Sequence, residues 1–256
     1  MFKATKNLAL AGAFLVAGLT AASAADLYVP VSPVPPVAAP SKFDLAFGAT
    51  VTSDYIARGI SQTMGGPAVQ ATLEASYGIL YAGAFVSNVN FAGVTGTEID
   101  VGAGIRPTWG PATFDLGYVQ YLYTNGAAAT FGEVYGKVDV QIADPFSVGA
   151  SVFYNPFGNT IYGEGRASLD IFRNWQVVST TLSGAVGYQT GAANYVTWNA
   201  GVSFTYHDWA TLDLRYHGSN LTGAGCTAMS GAATNCGHRF MAALTLKTTL
   251  SALRGM

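Results

Sequence analysis

The chain has 256 residues, with 12 Lys and Arg against 14 Asp and Glu, for a formal charge of −2. No basic stretch offers a nucleic-acid surface, and so few charges beside 31 Gly, 14 Tyr and 14 Phe are out of line with an average cytosolic enzyme. The length allows one large domain or two small ones.

Residues 1–24 read as a secretory signal: Lys3 and Lys6 form a basic start, Leu8 to Leu19 a short apolar core, and Ala22-Ser23-Ala24 a small-residue cleavage site. The apolar core is short for a spanning helix. Residues 25–41 follow as a Pro-rich tether, with 5 of the 10 prolines. Proline fixes φ and removes a donor, so this stretch is expected to be extended, a plain linker on the periplasmic side.

From 42 to 256 the chain is expected to form one β domain. It opens on strict alternation, with Phe43, Leu45, Phe47, Ala49 and Val51 on one face and Asp44, Ala46, Gly48, Thr50 and Thr52 on the other. A period of two is that of a strand with unlike faces. The rhythm predicts about twelve strands, near 43–54, 67–77, 79–90, 97–107, 112–123, 132–143, 146–154, 162–171, 175–188, 194–206, 209–217 and 238–250. Most have the length a tilted strand needs to cross a bilayer.

The connections alternate. Short turns are expected at Gly78, Trp109-Gly110-Pro111, Asp144-Pro145, Phe172-Arg173-Asn174 and His207-Asp208. Longer segments, 55–66, 91–96, 124–131, 155–161, 189–193 and 218–237, separate them. Short turns at one rim and long loops at the other describe a transmembrane up-and-down antiparallel barrel, an all-β fold. An even strand count places both ends of the barrel on the short-turn rim.

Charge is sorted by parity. Glu98, Asp100 and Arg106 are even; Glu133, Lys137 and Asp139 odd; Glu164, Arg166 and Asp170 even; Asp213 and Arg215, and Arg239 and Lys247, odd. The opposite parity is apolar or small. A Lys or Arg facing lipid at the midplane costs about 2–4 kcal/mol, which keeps one face free of charge. A soluble sandwich also sorts its faces, but it has neither the export signal nor the sorted loops. The candidate pore-lining charges are therefore Asp44, Glu74, Asp100, Arg106, Asp115, Lys137, Asp139, Glu164, Arg166, Asp170, Asp213, Arg215, Arg239 and Lys247. Opposed charges across a watery lumen select solutes; the bland alternative is a lumen filled by salt bridges that only brace the wall.

Aromatic residues gather at strand ends. Tyr77, Tyr81, Trp109, Phe114, Phe146, Phe172, Trp175 and Trp209 adjoin short turns, and Tyr55, Phe91, Tyr123, Tyr154, Tyr162, Tyr188, Tyr195 and Tyr216 adjoin long loops. Two girdles at headgroup level are expected. The chain ends Ser251-Ala252-Leu253-Arg254-Gly255-Met256 without a final aromatic, so the last strand either stops near Leu250 with a short tail or has a different register.

The first strand and its loop carry Thr52-Ser53-Asp54-Tyr55 and Arg58-Gly59-Ile60-Ser61-Gln62, then Pro67-Ala68-Val69-Gln70, Tyr81-Ala82-Gly83 and Ser87-Asn88-Val89. This fingerprint resembles the TorF family of porins, most strongly over 43–91. The resemblance implies a bacterial outer-membrane β-barrel. Together with the lumen charges, the expectation is outer-membrane lipid around it and small polar solutes diffusing through it, the alternative being a filled structural or surface-interaction barrel. Within the motif loop, Ser53, Asp54, Tyr55, Arg58, Gly59, Ser61 and Gln62 either fold on themselves, with Arg58 on Asp54, or reach into the mouth of the barrel. Gly59 supplies the positive φ a compact loop needs.

Little points to catalysis. The three histidines are His207, in a short turn, His217, sharing a face with Asp213, and His238. No serine motif accompanies the Asp213–His217 pair, as a hydrolase would require. Cys226 and Cys236, exported and ten apart, read as a disulfide. A metal site from them with His238 would lack a fourth ligand. Gly-rich runs such as Val101–Gly104 lie within strands and precede no helix, so they are not phosphate loops. No cofactor is implied.

Overall fold

The structure, a computed structural model, describes residues 43–91, 93–175 and 178–254, the side chains of 172–175 excepted. The expected signal segment and tether, and the last two residues, lie outside the described residues. The twelve long strands are β1 (Asp44–Thr52), β2 (Ala68–Tyr77), β3 (Leu80–Phe91), β4 (Val94–Ile105), β5 (Ala112–Tyr123) and β6 (Phe131–Ala143), then β7 (Phe146–Asn155), β8 (Thr160–Trp175), β9 (Val178–Gln189), β10 (Tyr195–Tyr206), β11 (Ala210–Ser219) and β12 (Arg239–Thr249). Each pairs antiparallel with its neighbours in sequence. β1 also pairs with β12, from Ala46↔Thr249 to Thr52↔Ala243, which closes the sheet into a barrel. Closure leaves no open edge, so every strand finds backbone partners without water, as a membrane requires.

Two expected connections differ. β3 and β4 stay paired up to Phe91↔Val94, and Gly93 turns the chain at φ 88°, so 91–96 is not a long loop. The β-branched Val94, Thr95 and Thr97 favour continuing the ladder. The turn expected at Phe172-Arg173-Asn174 is strand instead. β8 runs through it to Trp175, with register shifts after Asp170 absorbing the irregularity. No Gly or Pro interrupts that stretch, and Trp175 ends β8 rather than opening β9. On the other side, β12 stops at Thr249 and a short helix, α2 (Leu250–Arg254), follows. The last strand thus ends near Leu250 with a tail behind it.

The two faces follow the parity. Val101, Val134 and Leu214 are over 40% exposed on the outer wall, whereas Glu98, Asp100 and Glu133 on the other parity are buried. The girdle expectation holds for Tyr77, Trp109, Phe146, Tyr154, Tyr188 and Trp209, which are exposed; the side chains of Phe172 and Trp175 lie outside the described residues. It fails for Tyr55, Tyr81, Phe91, Tyr123, Tyr162 and Tyr195. These are inside: Phe91 packs edge-on to Tyr123 beside a cluster holding Tyr55, Tyr162 joins Tyr121, Phe131, Tyr135 and Phe153, and Tyr195 packs with Ile60 and Met229. Tyr123 and Tyr162 share the parity of the charges in their strands; β3 and β10 carry no charge, and there register decides, with Phe85 of β3 opposite Asp100 and Gly201 of β10 opposite Arg215, which turns Tyr81 and Tyr195 inward.

The longest loops both turn inward at the long-loop rim. Residues 53–67 carry a small hairpin, Ile56–Ala57 against Ile60–Ser61. Residues 220–238 carry α1 (Gly223–Ser230), N-capped by Thr222 and ended by Gly231 at φ 77°. Cys226 and Cys236 form the expected disulfide.

Candidate functional site: a charged lumen crossed by a hairpin

The hairpin has a two-residue tip, Arg58 at φ 46° and Gly59 at φ 75°. Positive φ at both positions matches the twist of paired strands and makes the tightest reversal. Gly59 is needed twice over, because a β-carbon there would lie 3.1 Å from the β-carbons of Thr197 and Ser219. The tip therefore touches the wall at β10 and β11, and the hairpin lies across the lumen.

Arg58 does not fold back onto Asp54. It reaches β6, where Nη1 donates to Glu133 Oε1 at 3.0 Å and Nη2 to Oε2 at 2.6 Å. Nη1 also donates to Gln189 Oε1 at 3.3 Å. The guanidinium lies over Phe153 and Tyr162, at 5.0 and 4.7 Å from the ring centres. Tyr121 donates its hydroxyl to Glu133, and Tyr195 donates to the Arg58 carbonyl. Both charges are almost wholly buried. Such a pair survives desolvation only with further hydrogen bonds, and here Tyr121 supplies one to Glu133 and Gln189 one to Arg58.

The rest of the motif braces the hairpin. Asp54 accepts from Ser61 Oγ at 2.6 Å and Thr63 Oγ1 at 3.1 Å, and its other oxygen pairs with Arg239 of β12 at 3.0 Å. The Tyr55 hydroxyl donates to Glu98 of β4 at 2.6 Å, with its ring against Phe85. Gln62 is buried, bonding Tyr55 and Asn90 through the backbone and the Ile60 carbonyl through its side chain. Ser53 stays outside this core and continues the ladder to Ala242. The disulfide loop backs the hairpin: the Ser61 amide donates to Asn235 O at 2.8 Å, and Ile60 bridges Cys236.

Below the hairpin the wall is lined by paired charges. Arg106 binds Glu74 through two nitrogens at 3.0 and 3.1 Å and contacts Asp115 at 3.4 Å, stacked 4.2 Å above Tyr81. Tyr81 donates to Asp115 at 2.5 Å, and its hydroxyl is hydrogen-bonded to that of Tyr135. Arg166 forks onto Asp139 at 2.7 Å. Arg215 meets Asp213 at 2.9 Å and also holds Asn199 and Ser183. Lys137 sits over Tyr135 and Phe153. Glu164 accepts from Tyr162, and Asp170 from Thr181. Lys247 lies half-buried opposite Gly48 on the inward parity.

Three candidates sit apart from this tier. Asp100 is fully buried beneath the hairpin, in register between Phe85 and Tyr121. Arg239 is at the long-loop end. Asp44 is at the opposite rim, where it accepts from the Ser251 amide and hydroxyl and ties α2 to β1. The Asp213–His217 pair is not assembled for catalysis, since Asp213 is held by Arg215 and Ser203. No group of metal-binding side chains occurs among the described residues.

Sequence reasoning left out Glu98 and Glu133 as site residues, although both share the parity of the charges beside them. It also left out the inward tyrosines; for Tyr121, Tyr123, Tyr135 and Tyr162 the same parity was the available signal, while the strands of Tyr81 and Tyr195 carry no charge to supply one.

Residues 37–248 match a family described as a bacterial protein of unknown function, Gcw_chp. The chain belongs to that family. Among curated proteins none matches it. The fold is similar to that of the KdgM porin, with a TM-score of 0.52 at 7% identity over 79% of this chain and 98% of that one. It is also similar to an outer-membrane channel from Pseudomonas putida F1, with a TM-score of 0.50 at 7% identity over 85% and 99% of the two chains. At such identity the likeness is one of fold: this Gcw_chp member is a closed twelve-stranded barrel of the porin-like kind.

Proposed function

We propose that the protein is an outer-membrane channel for passive diffusion of small polar or charged solutes, narrowed at its outer end by the 53–67 hairpin. One observation carries this reading. Below a hairpin that crosses the lumen, the inner wall is charged and open to solvent, with the Asp139 and Arg106 side chains 53% and 40% exposed. A barrel meant only to be filled would have little use for a wet, ion-lined vestibule. The fold likeness to porins and the motif resemblance to the TorF family support the same reading. The role needs no cofactor and no catalysis. Lipid surrounds the apolar wall, and exposed aromatics mark its borders.

Purified protein in planar bilayers should give discrete open steps, and neutral solutes of graded size should block them above a cutoff. Silence in both the natural chain and an Arg58→Ala variant would overturn the proposal. That outcome would favour a second reading, a filled structural or surface-interaction barrel, for which the packing around the hairpin speaks: Gln62, Glu98 and Tyr121 have no exposed surface.

A further inference from the structure

We infer that the channel prefers small cations to anions. The inference rests on the channel reading above and adds the sign of the solute. It comes from how fixed charge is distributed over three tiers of the barrel, counted among the described residues.

In the outer tier, around the hairpin, the carboxylates Asp54, Glu98, Asp100 and Glu133 face only two cations, Arg58 and Arg239. On the wall below it, six carboxylates face five cations, the set running from Glu74 and Arg106 to Lys247. At the short-turn rim, Asp44, Asp144 and Asp208 outnumber Arg173 and Arg254. Every tier is therefore acidic. The long-loop rim adds nothing to oppose it: apart from Asp54 and Arg58, the loops 53–67, 124–130, 156–159, 190–194 and 220–238 contain no Lys, Arg, Asp or Glu.

Four of the arginines are also closely engaged. Arg58 and Arg106 each have both terminal nitrogens on one carboxylate. Arg166 and Arg215 are likewise chelated by Asp139 and Asp213. At these four a passing anion would have to displace a two-pronged carboxylate, whereas a passing cation is drawn by the net negative charge of the wall. An apolar wall keeps field lines within the lumen, so mobile counter-ions of the opposite sign accumulate there.

The test is the reversal potential of bilayers holding the full barrel under a KCl gradient. The expected result is a shift toward the potassium equilibrium potential, a several-fold preference for K+ over Cl−, weakening as salt is raised and the charges are screened. A shift toward the chloride potential, or none at low salt, would overturn the inference while leaving the channel intact. A bilayer with no conductance at all would instead count against the channel reading. In a second arm, Glu164→Gln combined with Asp170→Asn should keep conductance and lower the K+/Cl− ratio. Each amide keeps the size of the acid it replaces and an oxygen to accept from Tyr162 or Thr181, so the fold should survive. An unchanged ratio in that variant would overturn the assignment of the preference to surplus wall carboxylate.

Discussion

Arg58, at the tip of a hairpin that leaves the first strand, forms a two-pronged ion pair with Glu133 on the sixth, 75 positions further along the chain. The pair ties the loop to the far wall of the barrel. Its neighbours are aromatic and hydroxyl-bearing, so the pair is both desolvated and hydrogen-bonded. Taking away one member leaves the other buried without its counter-charge, a cost on the order of 3–5 kcal/mol.

Replacing Arg58 by Ala should therefore do two things at once. Thermal unfolding in detergent should move to lower temperature, and single-channel conductance should rise as the hairpin loses its hold on the wall. Glu133→Gln should act in the same direction, and the double variant should cost less than the sum of the singles, since the two share one interaction. Unchanged conductance in all three would remove the hairpin as the constriction.

Gly59→Ala is expected to be more damaging than Gly78→Ala. Both glycines have positive φ, at 75° and 60°, but a β-carbon at 59 meets Thr197 and Ser219, while at 78 it meets nothing within 4 Å. The backbone term alone is of order 1–3 kcal/mol. Comparing the two unfolding temperatures isolates the steric part; equal losses would mean that the tip does not press on β10 and β11.

The Cys226–Cys236 bond should protect both thiols from labelling in unreduced, denatured protein. Its chain-entropy contribution is about 3 kcal/mol for a loop of this size. Because Ile60 and Ser61 rest on Asn235 and Cys236, replacing both cysteines by serine should also make the open level noisier. A quiet trace would show that the hairpin is held by the wall alone.

Reversing Arg106, Arg166 or Arg215 to Glu should push the reversal potential further toward the cation limit, because each change adds two negative charges to the wall. If none of the three moves it, these residues do not face the conducting path.

Lipid and lumen faces can be read separately. Spin labels at Val101, Val138 and Leu214 should report an apolar setting, and one at Thr211 an aqueous one. Leu214→Lys should cost about 2–4 kcal/mol if this position lies near the midplane, whereas Ser183→Lys, on the inner face, should be tolerated.

The alternation of the chain was enough to place nearly every strand, because a period of two leaves each side chain one of two faces and lipid forbids charge on one of them. The same rule, followed through, would have put Tyr123 and Tyr162 inside; the strands of Tyr81 and Tyr195 carry no charge, and only their register with charged neighbours turns them inward, where Tyr81 bonds Asp115 and Tyr195 bonds Arg58. Proximity to a strand end pointed to the headgroups instead, and parity outweighs it, since turning a side chain to the other face requires a shift of the whole register.

The cysteine spacing and the glycine at 59 were local facts and legible as such. What Arg58 touches was not. A loop next to Asp54 in sequence has a nearby carboxylate available, yet Asp54 is taken by Ser61, Thr63 and Arg239. Arg58 finds Glu133 only because closing β1 on β12 brings the sixth strand across the lumen from the first. The sequence by itself determined which side chains face lipid and which face one another. Only the closed barrel decided which of the inward ones meet, because that depends on distances across the lumen, and spacing along the chain carries no record of those.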